Sequence, residues 1–155
     1  MRVGLFVTCL VDLWRPRVGK ATLKLLTSAG VKPDIPNQTC CGQPAYNSGD
    51  SAAARAVAGN ILRAFAGYDA VVVPSGSCAG MIRVHYPRLF QNSPTEHAAA
   101  VALGARTYEL SQFLVHVAKR TSPPGRLQGT VAYHDSCSAR RELGVHAEPR
   151  LLLAS

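Results

Sequence analysis

Aromatic side chains are scarce in this sequence, at 6% with a single Trp, and no dense Lys/Arg run occurs although the formal charge is +8. Nucleic-acid grooves want clustered basic residues interleaved with stacking rings. The scattered charge therefore points away from nucleic acid and toward an acidic partner or an anionic cofactor. Long hydrophobic runs are missing too. No apolar stretch approaches the roughly 20 residues that cross a bilayer, and "MRVGLFVTCLVDLW" is broken by Asp12 with no small-residue cleavage site behind it. The expectation is a cytoplasmic chain with neither export signal nor transmembrane segment. Histidines stand at 85, 97, 116, 134 and 146 without ligand spacing, which speaks against a histidine-based metal motif.

The 155 residues, 47% of them hydrophobic, suffice for one ordinary core. "RVGLFVTC" reads as a buried strand ending at Cys9, and "PRVGKATLKLLTSAG" as a helix opened by Pro16 and closed by Gly30. "VKPDIP" reads as a short second strand, and "SAAARAVAGNILRAFAGY" as a helix capped by Asp50 or Ser51. "DAVVVPSGS" supplies a third strand, and a helix starts near "CAGMIRVHYPRLF". "AAAVALGARTYELSQFLVHVAKR" gives one or two more helices, "TSPPGRLQG" a linker, and "TVAYHDSC" a fourth strand. Strands alternating with helices predict an open, mainly parallel α/β sheet with flanking helices. Ligands of such sheets gather at the carboxyl ends of the strands, so Cys9, Cys40, Cys41 and Cys78 are expected in loops along one edge.

Five cysteines without an export signal suggest metal ligands or redox groups rather than structural disulfides. The adjacent pair in "NQTCCGQPAYNSGD" is a poor disulfide, because neighbouring Cα atoms lie about 3.8 Å apart and a disulfide wants roughly 4.4 to 6.8 Å. Four thiols satisfy either a tetrahedral zinc or an iron–sulfur cluster. A cluster spreads its irons over several ångströms, so adjacent thiolates can reach different metal atoms, which favours it over one zinc. Gly42 is placed to adopt positive φ beside a bulky cofactor, and Gly76 and Gly80 to free the turn around Cys78. A helix start at Cys78 would favour its thiolate.

"LFVTCLVD", "CCGQPAYNSG", "VVPSGSC" and "YHDSC" resemble the CCG-type cysteine-rich iron–sulfur domain of heterodisulfide reductase B subunits and glycolate oxidase iron–sulfur subunits, most of all its lactate-utilization branch. The resemblance implies a cluster, most simply 4Fe-4S, on Cys9, Cys40, Cys41 and Cys78. It further implies electron transfer during oxidation of L-lactate to pyruvate, alongside two other subunits, by a protein with two such repeats. The fullest form of the motif ends in Cys-x-x-Cys, whereas the position three after Cys78 is Met81, so a five-thiolate set is not carried over.

"VAYHDSCSARRELGVHAEPRLLLAS" echoes the first thirty or so residues. Residues 1–125 then form a first cysteine-rich domain, and 126–155 begin a second, truncated repeat in which Cys137 has no partners in sequence. An unpaired strand and the apolar "LLLA" end of that segment would favour self-association. Two rivals use the same residues. One is a zinc-bound structural domain. The other is a thiol hydrolase, since "GSCAG" matches a nucleophile elbow with Cys78 in place of serine, and Asp135 and His146 follow in the order that such enzymes need.

Overall fold

The computed structural model describes residues 1–155. Three short parallel strands form the sheet, β1 (Val3–Leu5), β2 (Ala70–Val73) and β3 (Thr107–Glu109), in the order β1-β2-β3. Val3 faces Ala70 and Leu5 faces Val72 across the first pair, and Val71 faces Thr107 across the second. Every residue of β1 and β2 is buried, as expected of parallel strands covered on both sides. Their alternation sorts the core into two layers. Val71 and Val73 join Phe6, Phe65, Ile61 and Ile82 on one face, while Val3, Leu5, Ala70 and Val72 join Leu26, Phe113 and Leu114 on the other.

The helices follow from local chemistry. Thr8 caps α1 (Cys9–Trp14) by accepting from the Val11 amide, and Pro16 opens α2 (Pro16–Ser28). After α3 (Gln43–Asn47), Asp50 caps α4 (Ser51–Ala64) through the Ala53 amide at 2.9 Å. Beyond β2 come α5 (Gly76–Gly80), a π-helical turn at Met81–His85, α6 (Tyr86–Leu89) and α7 (Pro94–Ala105). A three-residue helix α8 (Leu110–Gln112) and a second π-helical turn (Phe113–Val117) follow β3. The chain ends with α9 (Cys137–Leu143) and α10 (Ala147–Ala154). No helix is long and apolar enough to cross a membrane.

The open parallel α/β sheet is as expected, but three elements differ from the sequence reading. Residues 31–36 contribute one isolated bridge, Asp34 to Gly4, instead of a strand, because Pro33 and Pro36 on either side lack the N–H that a ladder requires. "TVAYHDSC" is not a strand: residues 130–136 have no regular structure, and Val131 and Tyr133 lie exposed. The remaining strand is β3, inside a stretch that reads as helix. There α7 stops at Ala105, and the Thr107 hydroxyl turns back to the Leu103 carbonyl at 2.8 Å. Glu109 then caps α8 by accepting from the Ser111 amide at 2.7 Å.

Gly76 and Gly80 serve a purpose other than turning. Neither has positive φ. A Cβ on Gly76 would meet that of Ala139 at 2.6 Å, and one on Gly80 would run into the Glu142 carboxylate, so the two glycines form a shelf on which α9 lies. Gly76→Val should therefore lower stability by about 1 to 3 kcal/mol through overpacking. Chemical denaturation would detect this as a lower midpoint with an unchanged slope; an unchanged midpoint would mean that α9 does not rest there.

Candidate metal centre

Cys9 is the first residue of α1 rather than the last of the strand, since β1 ends at Leu5 and the Thr8 cap begins a helix there. Cys40 and Cys41 follow β1's neighbouring segment, and Cys78 is the third residue of α5 after β2. The chain thus brings all four to the carboxyl edge of the sheet as two close pairs. Cys9 Sγ and Cys40 Sγ lie 3.7 Å apart and are half-buried; Cys41 Sγ and Cys78 Sγ lie 3.3 Å apart and are buried. All five cysteines are free thiols, and Cys137 is exposed at the start of α9, outside both pairs.

The loop carrying Cys40 and Cys41 is held from three sides. Gln38 acts as a surrogate strand residue: its Oε1 accepts from the Val7 amide at 3.0 Å, and its Nε2 donates to the Leu5 carbonyl at 3.1 Å. The Tyr86 hydroxyl, fully buried, donates to the Cys41 carbonyl at 2.9 Å. Gln43 Nε2 reaches the Ser77 carbonyl at 3.4 Å and ties the loop to α5. Gly42, at φ +83°, makes the left-handed turn between Cys41 and α3, as its position in the motif suggests. A further chain of polar groups runs outward. Tyr46 on α3 bonds His85 Nδ1, and His85 Nε2 bonds Glu142 on α9, both at 3.2 Å.

The electrostatics of the pairs differ. Cys41 donates to Cys78, which raises Cys41 well above the ordinary thiol range, with burial acting in the same direction. The same hydrogen bond, aided by the Ser75 and Ser77 hydroxyls against the opposing effect of burial, brings Cys78 down to about 7. Side chains rather than the helix start favour this thiolate. Partial burial raises Cys9, with its contact to Cys40 adding to the effect. Burial also raises Tyr86, so its hydroxyl remains a donor to the loop.

Four sulfur donors form a set suited to a soft metal or cluster. No three His, Cys, Asp or Glu side chains meet at the spacing of a single metal ion; the donors instead come two by two. A cleft of about 530 Å³ opens beside Cys9 and Cys40, and a second of about 270 Å³ opens beside Cys78. Met81 is fully buried in the larger core, where its thioether is packing material. His85, His116 and His146 are engaged by Glu142, Glu148 and Asp135.

The nucleophile-elbow geometry is not formed. A strained turn at the nucleophile is the mark of that motif, yet Cys78 sits inside a helix, and Lys119 is the only non-glycine residue with positive φ. Asp135 and His146 do pair at 3.2 Å, but Arg150 shares both of them, and no histidine bonds Cys78. The Arg150 bond, with His146 in support, holds Asp135 down to about 2.

Sequence reasoning found the thiols but missed Gln38, Gln43, Tyr46 and Tyr86. Gln38, Gln43 and Tyr46 lie within the quoted stretch around the paired cysteines, so proximity was a signal; Tyr86 left none.

A family model described as CCG, cysteine-rich domain, matches residues 3–83. Lactate utilization protein A of Geobacillus kaustophilus is 51% identical over 154 residues, 99% of this chain and 64% of that protein. Its counterpart in Geobacillus thermodenitrificans is 49% identical, and Lactate utilization protein A 2 of Bacillus cereus strain Q1 is 42% identical, with the same coverage. The chain therefore spans 64% of the length of these relatives. No solved structure matches it significantly.

Two outcomes test the electrostatics and the loop. In reduced, metal-free protein, a thiolate absorbance should titrate in with a midpoint of about 7. Cys41→Ala removes the donor, so this midpoint should move up; if it stays, Cys41 is not the cause. Tyr86→Phe should cost about 1 to 3 kcal/mol by leaving the Cys41 carbonyl unpaired, measured as a drop in the denaturation midpoint.

Proposed function

The chain belongs to the CCG cysteine-rich domain family, and from that premise we propose that Cys9, Cys40, Cys41 and Cys78 hold an iron–sulfur cluster, of the 4Fe-4S kind. The carrying observation is the gathering of four thiols, with no competing carboxylate or imidazole bonded to them, as two pairs at one sheet edge. Two separated pairs suit several irons better than one ion. Such a cluster supplies one-electron storage and transfer. The residues of the chain supply the rest. Gln38 and Tyr86 anchor the loop that carries the two adjacent thiols, Gly42 turns it, and Ser75 and Ser77 favour the thiolate of Cys78 that a metal needs. The half-buried outer pair leaves a short path to the surface, while burial of the inner pair excludes water.

The names of the relatives support a role in lactate utilization. We read the chain as the electron-transfer part of a cytoplasmic complex that oxidises L-lactate to pyruvate with two other subunits. Residues 1–125 form the cluster-binding domain, and 126–155 open a second repeat. Zinc is the second reading, since the separation in each pair is near the sulfur–sulfur edge of about 3.8 Å in a tetrahedral zinc–thiolate site.

Anaerobic reconstitution with iron and sulfide should yield a brown protein with one cluster. Stoichiometric uptake of zinc, with none of iron and sulfide, would replace this reading by the structural one. Cys40→Ser or Cys41→Ser should abolish retention, whereas Cys137→Ser should leave it nearly intact; equal losses at all three positions would refute the assignment. In cells lacking the full-length relative but retaining its partners, this chain alone should not restore growth on L-lactate, because residues 126–155 offer a single thiol.

A further inference from the structure

The helix α1 carries an apolar surface that nothing in the fold covers. Leu10, Leu13 and Trp14 are 68, 76 and 74% exposed, on a six-residue helix that begins at Cys9. Scattered single apolar residues on a surface are ordinary, but three on one short helix beside a functional edge form a patch that marks an interaction site.

The other end of the chain indicates what covers it. α9 is built like α1 at its start: in each, a hydroxyl residue caps the helix, cysteine is the first helical residue, and the cap accepts from the amide three positions on. The distances are 3.3 Å for Thr8 with Val11 and 3.2 Å for Ser136 with Ala139. Unlike the Leu10–Trp14 side of α1, α9 is covered where it lies on the Gly76–Gly80 shelf of α5. If Cys137 is set on Cys9, then Leu10 and Trp14 fall on Ser138 and Glu142, the residues of α9 that face Gly80. Leu10 and Trp14 are therefore the counterparts of residues that, on α9, already lie in an interface, while Leu13 falls beside them on the exposed Arg141. The α1 patch is also continuous with that interface, since Leu10 and Cys78 line one cleft together with Ser75 and Ser77 of the α5 entrance.

We propose that Leu10, Leu13 and Trp14 form the docking face for a second cysteine-rich repeat continuing the chain beyond α10, so that each repeat lends its first helix to the shelf of the other. α9 on α5 is one half of this exchange, and α1 on the corresponding shelf of the second repeat is the other. The relatives have room for such a repeat, because 36% of their length, the remainder after 64%, lies outside this chain. The proposal rests on reading 126–155 as the opening of that repeat. Apolar α1 against small residues would be a close, dry contact, and an exposed Trp is the kind of residue that carries binding energy in such a contact.

Trp14 is the only Trp in the chain, which makes it a built-in reporter. Hydroxyl-radical footprinting read by mass spectrometry would compare three proteins: this chain, this chain continued by the remaining part of the Geobacillus kaustophilus relative, and that relative itself over the aligned segment. The expected result is rapid oxidation of the Leu10–Trp14 segment in the short chain and a several-fold slower rate in both longer proteins. Because the natural relative has no artificial junction, a chimera that fails to fold leaves the comparison intact. Equal oxidation in the short chain and the relative overturns the proposal, as does concentration-dependent protection in the short chain alone, which would assign the face to a second copy. Trp14→Arg with Leu13→Glu should leave the thermal midpoint of the short chain unchanged and lower that of the continued chain. Iron and sulfide content, measured on the same samples, judges the cluster reading separately: protection without a cluster would keep this interface and remove that reading, and a cluster without protection would do the reverse.

Discussion

The thiol end of the molecule depends on one side-chain amide. The segment before Cys40 cannot extend the sheet in the ordinary way, since Pro33 and Pro36 deprive it of donors and only Asp34 bridges to β1. Gln38 makes up the deficit by offering an acceptor to Val7 and a donor to Leu5, the two bonds that a neighbouring strand residue would have made. With that, the loop is registered against β1, and Cys40 reaches Cys9. The pairing of β1 with β2 sets the position of Cys78 relative to Cys9, and the Tyr86 hydroxyl fixes the Cys41 carbonyl over α5. Four thiols from three separate segments gather at one edge because uncharged polar side chains, Gln38 above all, supply bonds that the proline-flanked backbone does not.

Much of this was legible in the residues. The β-branched run at 71–73, closed by Pro74, and the Ala-rich segment after Asp50 carry their own local signals, and both elements form as expected. The spacing of Cys9, Cys40, Cys41 and Cys78 places them on one edge once the sheet is parallel. What stayed hidden was decided by partners distant in sequence. Thr107–Glu109 is short and lies between helical stretches, so no local pattern outweighs its surroundings; it becomes a strand because Val71 and Val73 of β2 offer it an edge. Residues 130–136 have the alternation of a strand but pair with no edge of the sheet and stay irregular. The role of Gly76 and Gly80 was likewise invisible, because the helix that needs their missing side chains lies some sixty residues further on.

The same distance relation ties the CCG loop to the last part of the chain. Tyr46, His85 and Glu142 come from α3, the π-helical turn and α9. α9 is thus anchored twice, by packing on the glycine shelf and by this polar chain, and Leu143 and Val145 enter the larger core. Residues 137–145 pack into the larger core and bond toward the CCG loop even though their sequence echoes the opening of the chain.

The unequal burial of the two thiol pairs gives the site a direction. Cys41 and Cys78 lie at the bottom, enclosed by Ala54, Ala79 and Tyr86 in the larger core, while Cys9 and Cys40 open onto the wider cleft. A reagent arriving from solvent, whether an oxidant, an alkylating agent or a metal ion, finds the outer pair the more open of the two. The inner pair is nearly closed off, with only a smaller cleft beside Cys78. The outer thiols are thus both threshold and guard, and damage from outside begins at Cys9 and Cys40 while the floor of the site keeps its shape.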